Sequence, residues 1–150
     1  MIQRKQTLFL FLLFVTGIGL LFVPSNTVTL NKTLTGIALL PYHSVEFDST
    51  AWHFLAIALN FIAIVLAFIT VFLYKKRSLQ IKFCYVLMLL ELSITLVTSF
   101  SPLVVKSELI LVESTGFGSL IGIIGMMSAY LAARLIKKDI ELLKSADRIR

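Results

Sequence analysis

Charge is scarce in this sequence. Only 15% of its 150 residues are Asp, Glu, Lys or Arg, against roughly 25% in a typical soluble chain. Hydrophobic residues make up 58% and the mean hydropathy is +0.95, where a soluble domain carries about 45–50% apolar residues. One domain of this length lacks the interior to hide that much apolar surface from water, so a bilayer is the expected solvent. Cysteine is nearly missing as well. The single Cys84 excludes an internal disulfide and a multi-thiolate metal site; with no His or acid beside it, it reads as a small buried residue. Also absent are a P-loop, HExxH, GxSxG, a dinucleotide fingerprint and any Cys/His metal spacing. The expectation is a non-enzymatic protein without cofactor or metal.

Four apolar runs reach the 17–25 residues that a helix needs to cross a hydrocarbon core about 30 Å thick. They cover about residues 7–23, 52–74, 83–101 and 116–133. The first ends at Pro24, the second at Lys75-Lys76-Arg77, and the fourth at Arg134. The fold expected is all-α: one four-helix transmembrane domain over residues 1–150, with a cytoplasmic helical tail at 134–150.

Basic residues give the orientation. Arg4 and Lys5, the group Lys75, Lys76, Arg77 and Lys82, and the tail residues Arg134, Lys137, Lys138, Lys144, Arg148 and Arg150 all fall on one side. The other side holds only Lys32 and Lys106, with the acids Glu46, Asp48, Glu108 and Glu113. Cytoplasmic segments carry the Lys/Arg excess, so both termini and the central loop are expected inside. The formal charge of +6 is thereby a topology signal with anionic lipid as its natural contact, and no nucleic-acid partner is needed. The basic start and apolar core of the first run also resemble a signal peptide. No small-x-small site follows, however, and cleavage would leave three spans; retention is expected. Trp52, Tyr42 and Phe47 near one boundary and Tyr74 and Tyr85 near the other suit the membrane interfaces.

Outside the spans, Thr27-Val28-Thr29-Leu30 and Thr33-Leu34-Thr35 alternate around Asn31-Lys32 and predict a short β-hairpin in the first extracytoplasmic loop. His43, Glu46, Asp48 and His53 include metal-ligand types, but their spacing matches no established site. In the tail, Ile136, Ile140, Leu143, Ala146 and Ile149 recur at helical spacing. Lys137 and Glu141 form an i,i+4 pair on the opposite side. Such a stripe docks on a partner, lies on the bilayer, or packs on the short loop 75–82.

Within the spans Glu91 stands out. It lies roughly 13 Å past Lys82 along a helix, and a charged carboxylate near mid-bilayer costs about 2.5 kcal/mol or more. Counting depth puts Thr16, Thr70 and Ser128 within about one helical turn of its level and Asn60 roughly 7 Å above it. The alternatives are a neutral acid that hydrogen-bonds helices together, a proton or ion pathway, or a pairing site for another subunit. Gly118, Gly122, Gly125, Ala129 and Ala132 make a seam of small residues on the fourth helix, serving either the bundle itself or an oligomer.

The two ends are informative together. The chain opens Met1-Ile2-Gln3-Arg4-Lys5-Gln6 and closes Lys144-Ser145-Ala146-Asp147-Arg148-Ile149-Arg150. Over its full length it resembles a family of uncharacterised four-helix inner-membrane proteins found chiefly in Bacteroidota, catalogued as a domain of unknown function. Members tend to carry an acid directly after the Asp matching Asp139, where this chain has Ile140 and then Glu141. The resemblance implies a bacterial plasma membrane and draws attention to Gln3-Arg4 and Ser145-Ala146-Asp147-Arg148, but implies no activity. The function expected is an accessory or scaffold subunit that docks other membrane or cytoplasmic proteins through Arg4, Ile136, Ile140, Leu143, Ser145, Asp147, Arg148 and Ile149. A small transporter or ion-pathway component using Glu91 is the alternative.

Overall fold

A computed structural model describes residues 2–30, 33–37, 39, 50–104 and 111–147. Four helices dominate: α1 (Ile2–Phe22), α2 (Thr50–Phe72), α3 (Arg77–Val104) and α4 (Phe117–Asp147). Three of them contain stretches long and apolar enough to cross a membrane: Phe54–Phe72, Arg77–Phe100 and Phe117–Ser145. The fourth apolar stretch, Gln6–Phe22, is shorter. Each helix packs on its sequence neighbours, and α1 closes the ring against α4.

Local chemistry explains the turns. Pro24 lacks an amide hydrogen and ends α1 just past its last turn. Between α2 and α3 only a 3-10 turn, Leu73–Lys75, and Lys76 intervene, a connection short enough to force an antiparallel hairpin. Its register is set by Gln80, whose Nε2 donates to the Thr70 carbonyl at 3.1 Å. At the same end, Gln6 Nε2 donates to the Leu135 carbonyl at 3.3 Å and Arg77 pairs with Asp139 at 2.7 Å. The start of α1, the α2–α3 turn and the end of α4 therefore gather at one end of the bundle.

The opposite end is capped by a three-stranded antiparallel sheet in the order β2-β1-β3. Strands β1 (Asn26–Leu30) and β2 (Thr33–Ile37) pair from Asn26↔Ile37 to Leu30↔Thr33. Strand β3 (Leu111–Thr115) adds to the other side of β1, with an irregularity between Thr27 and Val28. The alternation around Asn31-Lys32 corresponds to β1 and β2, whereas β3 was not anticipated. Asn26 is buried and fixes β1 to the bundle by donating from Nδ2 to the Thr98 carbonyl at 2.7 Å. Beside it the α4 entrance is sewn to the end of α1: Gly116 N–H donates to Ser25 O at 2.7 Å, and Gly118 N–H to Pro24 O at 2.9 Å. A Cβ at Gly118 would lie 2.8 Å from the Ser25 backbone, so glycine is required for that approach.

Polarity is distributed as a bilayer solvent would demand. Phe11, Phe54, Phe61, Phe68, Phe72, Leu89 and Ile124 point outward, while Gln6, Thr16, Asn60, Thr70, Gln80, Glu91 and Ser128 are buried. Exposed apolar surface on every side of a bundle suits hydrocarbon as the surrounding medium.

Candidate functional site

Halfway along the bundle, four helices bring polar groups to one level. α3 supplies Glu91, whose residue is 1% exposed, and α2 supplies Asn60, at 0%. α1 supplies Thr16 and α4 supplies Ser128 one turn beyond Gly125, both buried. Gly125 is a point of close approach in this layer. A Cβ built there would lie 3.0 Å from Thr16 Oγ1 and 3.1 Å from the Glu91 carboxyl. The missing side chain is what lets the acid and the hydroxyl both reach the α4 backbone. Next to Thr16, Gly17 opens α1 toward α2; a Cβ there would sit 2.9 Å from Ile64 Cγ1 and 3.7 Å from Asn60 Oδ1.

The hydroxyl hydrogens of this layer are spent on backbone carbonyls. Thr16 Oγ1 donates to Leu13 O at 2.8 Å, Ser128 Oγ to Gly125 O at 2.7 Å, and Thr95 Oγ1 to Glu91 O at 2.8 Å. Back-bonding of this kind is the usual way Ser and Thr are accommodated inside helices. It leaves oxygen lone pairs as the free hydrogen-bonding capacity. By contrast, Asn60 Oδ1, Asn60 Nδ2 and Glu91 Oε2 are buried without a hydrogen-bond partner.

Two depth assignments made from sequence need correction. Thr70 is not at the level of Glu91, since its carbonyl meets Gln80, and Gln80 precedes Glu91 by about 16 Å of helix. Thr70 Oγ1 instead donates back to Leu66 O within its own helix, 2.6 Å away. Asn60 moves the other way. Antiparallel pairing anchored at Thr70 and Gln80 sets it opposite Glu91 rather than a turn above. Depth counted from hydropathy edges fails here because the tight turn, not the edge of the apolar run, fixes the register of α2 on α3.

The small-residue seam faces inward. Gly122 abuts Thr95, Gly125 abuts Glu91 and Thr16, Gly118 abuts Ser25, and Ala129 and Ala132 are fully buried. Its residues are used within the bundle, which leaves none of them as an open oligomer surface.

The tail is one continuous extension of α4 as far as Asp147. Ile136 does not belong to an exposed stripe: it is fully buried with Leu10, Cys84, Ala132 and Ala133, and half-buried Ile140 packs on the same cluster. These two residues are covered because α1 and α3 run alongside α4 past the expected membrane edge. Leu143 is exposed, as is its neighbour Leu142, which the spacing argument left out. Ser145 is exposed and donates to Leu142 O. Asp147 is the last residue of α4, and Arg4 lies near the start of α1. Arg148 and Ile149 lie outside the described residues, as do Tyr42, His43, Glu46, Phe47 and Asp48; Trp52 and His53 fall in the first turn of α2. Sequence reasoning missed Gln6, Gln80 and the Arg77–Asp139 pair, all sited where helices meet. Their signal in the sequence was only that these polar residues lie just outside the apolar runs.

No curated protein and no solved structure matches the chain. The model of the family described as a domain of unknown function, DUF4293, matches residues 2–149. The chain, with its four-helix bundle and buried acid, belongs to that family.

Proposed function

We propose that the protein is a multi-pass accessory subunit of a bacterial plasma membrane, with both termini cytoplasmic and no catalytic activity of its own. Its work is to hold a helical stalk at a fixed place and angle for a protein partner. The orientation rests on the Lys/Arg excess at the end where α1 begins, α2 turns into α3 and α4 finishes. The bacterial setting rests on the resemblance of the two chain ends to Bacteroidota inner-membrane proteins.

The single observation that carries the reading is the form of α4. Its 31 residues span about 46 Å, well beyond a hydrocarbon core of about 30 Å. An unbroken helix leaving the bundle projects into the cytoplasm and does not fold back onto the bilayer surface. Ile136, Ile140 and the Arg77–Asp139 pair hold its root. Beyond that root, Leu142 and Leu143 are exposed among Lys137, Lys138, Glu141 and Lys144. The matching partner is a cytoplasmic protein face with an apolar patch and an acidic rim.

Site-specific photo-crosslinking from position 142 in living cells tests this. The reading expects a discrete protein adduct that vanishes when Lys137, Lys138 and Lys144 are changed to Glu. Adducts to lipid alone, or an adduct indifferent to those charges, would contradict it.

A further inference from the structure

The buried layer around Glu91 has more oxygen acceptors than the protein itself uses. We propose that Glu91, Asn60 and Thr16, gathered at the gap that Gly125 leaves in α4, form a membrane-embedded binding site for one dehydrated monovalent cation. The site is independent of the docking role given to the stalk.

Three observations lead there. First, the atoms of this layer left without partners include two oxygen acceptors, Glu91 Oε2 and Asn60 Oδ1, in residues that are essentially inaccessible to solvent; the Asn60 Nδ2 donor is unpartnered as well and plays no part in holding a cation. A well-packed native core normally leaves few such groups unsatisfied. Second, the hydroxyls of Thr16, Ser128 and Thr95 already donate to backbone carbonyls. A ligand that needs donors from those hydroxyls would have to break these bonds, whereas a cation takes lone pairs and breaks none. Third, one carboxylate balances one positive charge. Among the described residues no group of three or more His, Cys, Asp and Glu comes together, as a divalent ion held by acidic side chains would favour.

Dehydration follows from packing. Thr16 Oγ1 and the Glu91 carboxyl crowd the α4 backbone so closely that even a methyl group at Gly125 would press on both. Packing this tight leaves no room for a hydrated ion, so a cation held there takes its ligands from protein oxygens. Each of the four helices contributes to this layer, so occupancy would tie the bundle together at its centre. It would also make an ionisable residue tolerable at that depth.

The experiment uses the full chain in nanodiscs of phosphatidylethanolamine and phosphatidylglycerol. Binding of radioactive sodium is measured by equilibrium filtration, and thermal unfolding is compared in sodium chloride and choline chloride at equal ionic strength. The expected result is about one sodium retained per chain. The unfolding equilibrium constant should fall about a hundredfold when sodium exceeds Kd a hundredfold. Glu91→Gln, nearly isosteric, should abolish both effects, and Asn60→Leu and Thr16→Val should each weaken them at least tenfold. Equal unfolding in sodium and choline would mean that a water or a proton alone fills the layer, and would overturn the proposal. So would a sodium response that survives Glu91→Gln, which would place the ion on headgroups, or one that survives both Asn60→Leu and Thr16→Val.

Discussion

Replacing Gly122 with Ala pushes a methyl group onto the Thr95 hydroxyl, closer than real side chains approach one another. Thr95 cannot simply turn away, because its Oγ1 is held by the Glu91 carbonyl on its own helix at 2.8 Å and a β-branched side chain has few helical rotamers. The α3–α4 contact must open or the hydroxyl must give up its bond. Overpacking of this kind costs about 1–3 kcal/mol, partly offset by the better helix propensity of Ala, about 1 kcal/mol. The net expectation is a loss of up to about 2 kcal/mol. Thr95→Ala alone should cost about 0.5–1.5 kcal/mol for one helix back-bond. In the double variant the offending oxygen is gone and the nearest remaining atom, the residue-95 Cβ, is 3.3 Å away. The double variant should therefore be no less stable than Thr95→Ala by more than about 0.5 kcal/mol. Reversible unfolding in mixed micelles, followed by far-ultraviolet circular dichroism, measures all four corners of the cycle. Simple additivity of the two single substitutions would refute the close approach of α3 and α4 on which the seam argument depends.

Three further outcomes follow from named contacts. Glu91→Lys places a long, obligately hydrated cation where the bundle has no counter-charge left; a loss of about 2.5–3.5 kcal/mol should show as degradation or failure to reach the membrane fraction. The Arg77–Asp139 pair has side chains 25% and 13% exposed; a double-mutant cycle should give about 1 kcal/mol of coupling, shrinking in high salt, and a cycle reading zero at low salt would remove it as an anchor. Leu142→Ser with Leu143→Ser touches only exposed side chains and should leave the unfolding midpoint within about 0.5 kcal/mol. A large loss there would mean that the stalk packs on its own chain.

The parts of this protein legible in its sequence are those set by solvent. Run length and the placement of Lys and Arg gave four helices and the end at which charge collects, because hydrocarbon tolerates no other distribution. A lone acid in a long apolar run was conspicuous for the same reason. What sequence could not supply is register. Asn60 and Thr70 exchanged roles because Gln80, not the hydropathy edge, fixes how α2 slides on α3. Strand β3 was hidden because its partner β1 is more than eighty residues away in sequence, and Leu111-Val112-Glu113-Ser114-Thr115 carries little alternation of its own. Ile136 looked like part of an outward stripe because helical spacing tells which residues share a face but not what that face meets. The glutamines at positions 6 and 80 carry no motif; their importance comes from the helix carbonyls that they reach across to.

The proposed bundle crosses the bilayer with its basic end in the cytoplasm. Labelling with a membrane-impermeant maleimide tests it most directly, using single cysteines introduced at Lys76, Lys144 and Lys32 in a Cys84→Ala background. In intact spheroplasts the cysteine at position 32 should label, while those at 76 and 144 should label only after the membrane is opened. Labelling of 76 or 144 from outside, or equal reactivity of all three before permeabilisation, would contradict the account.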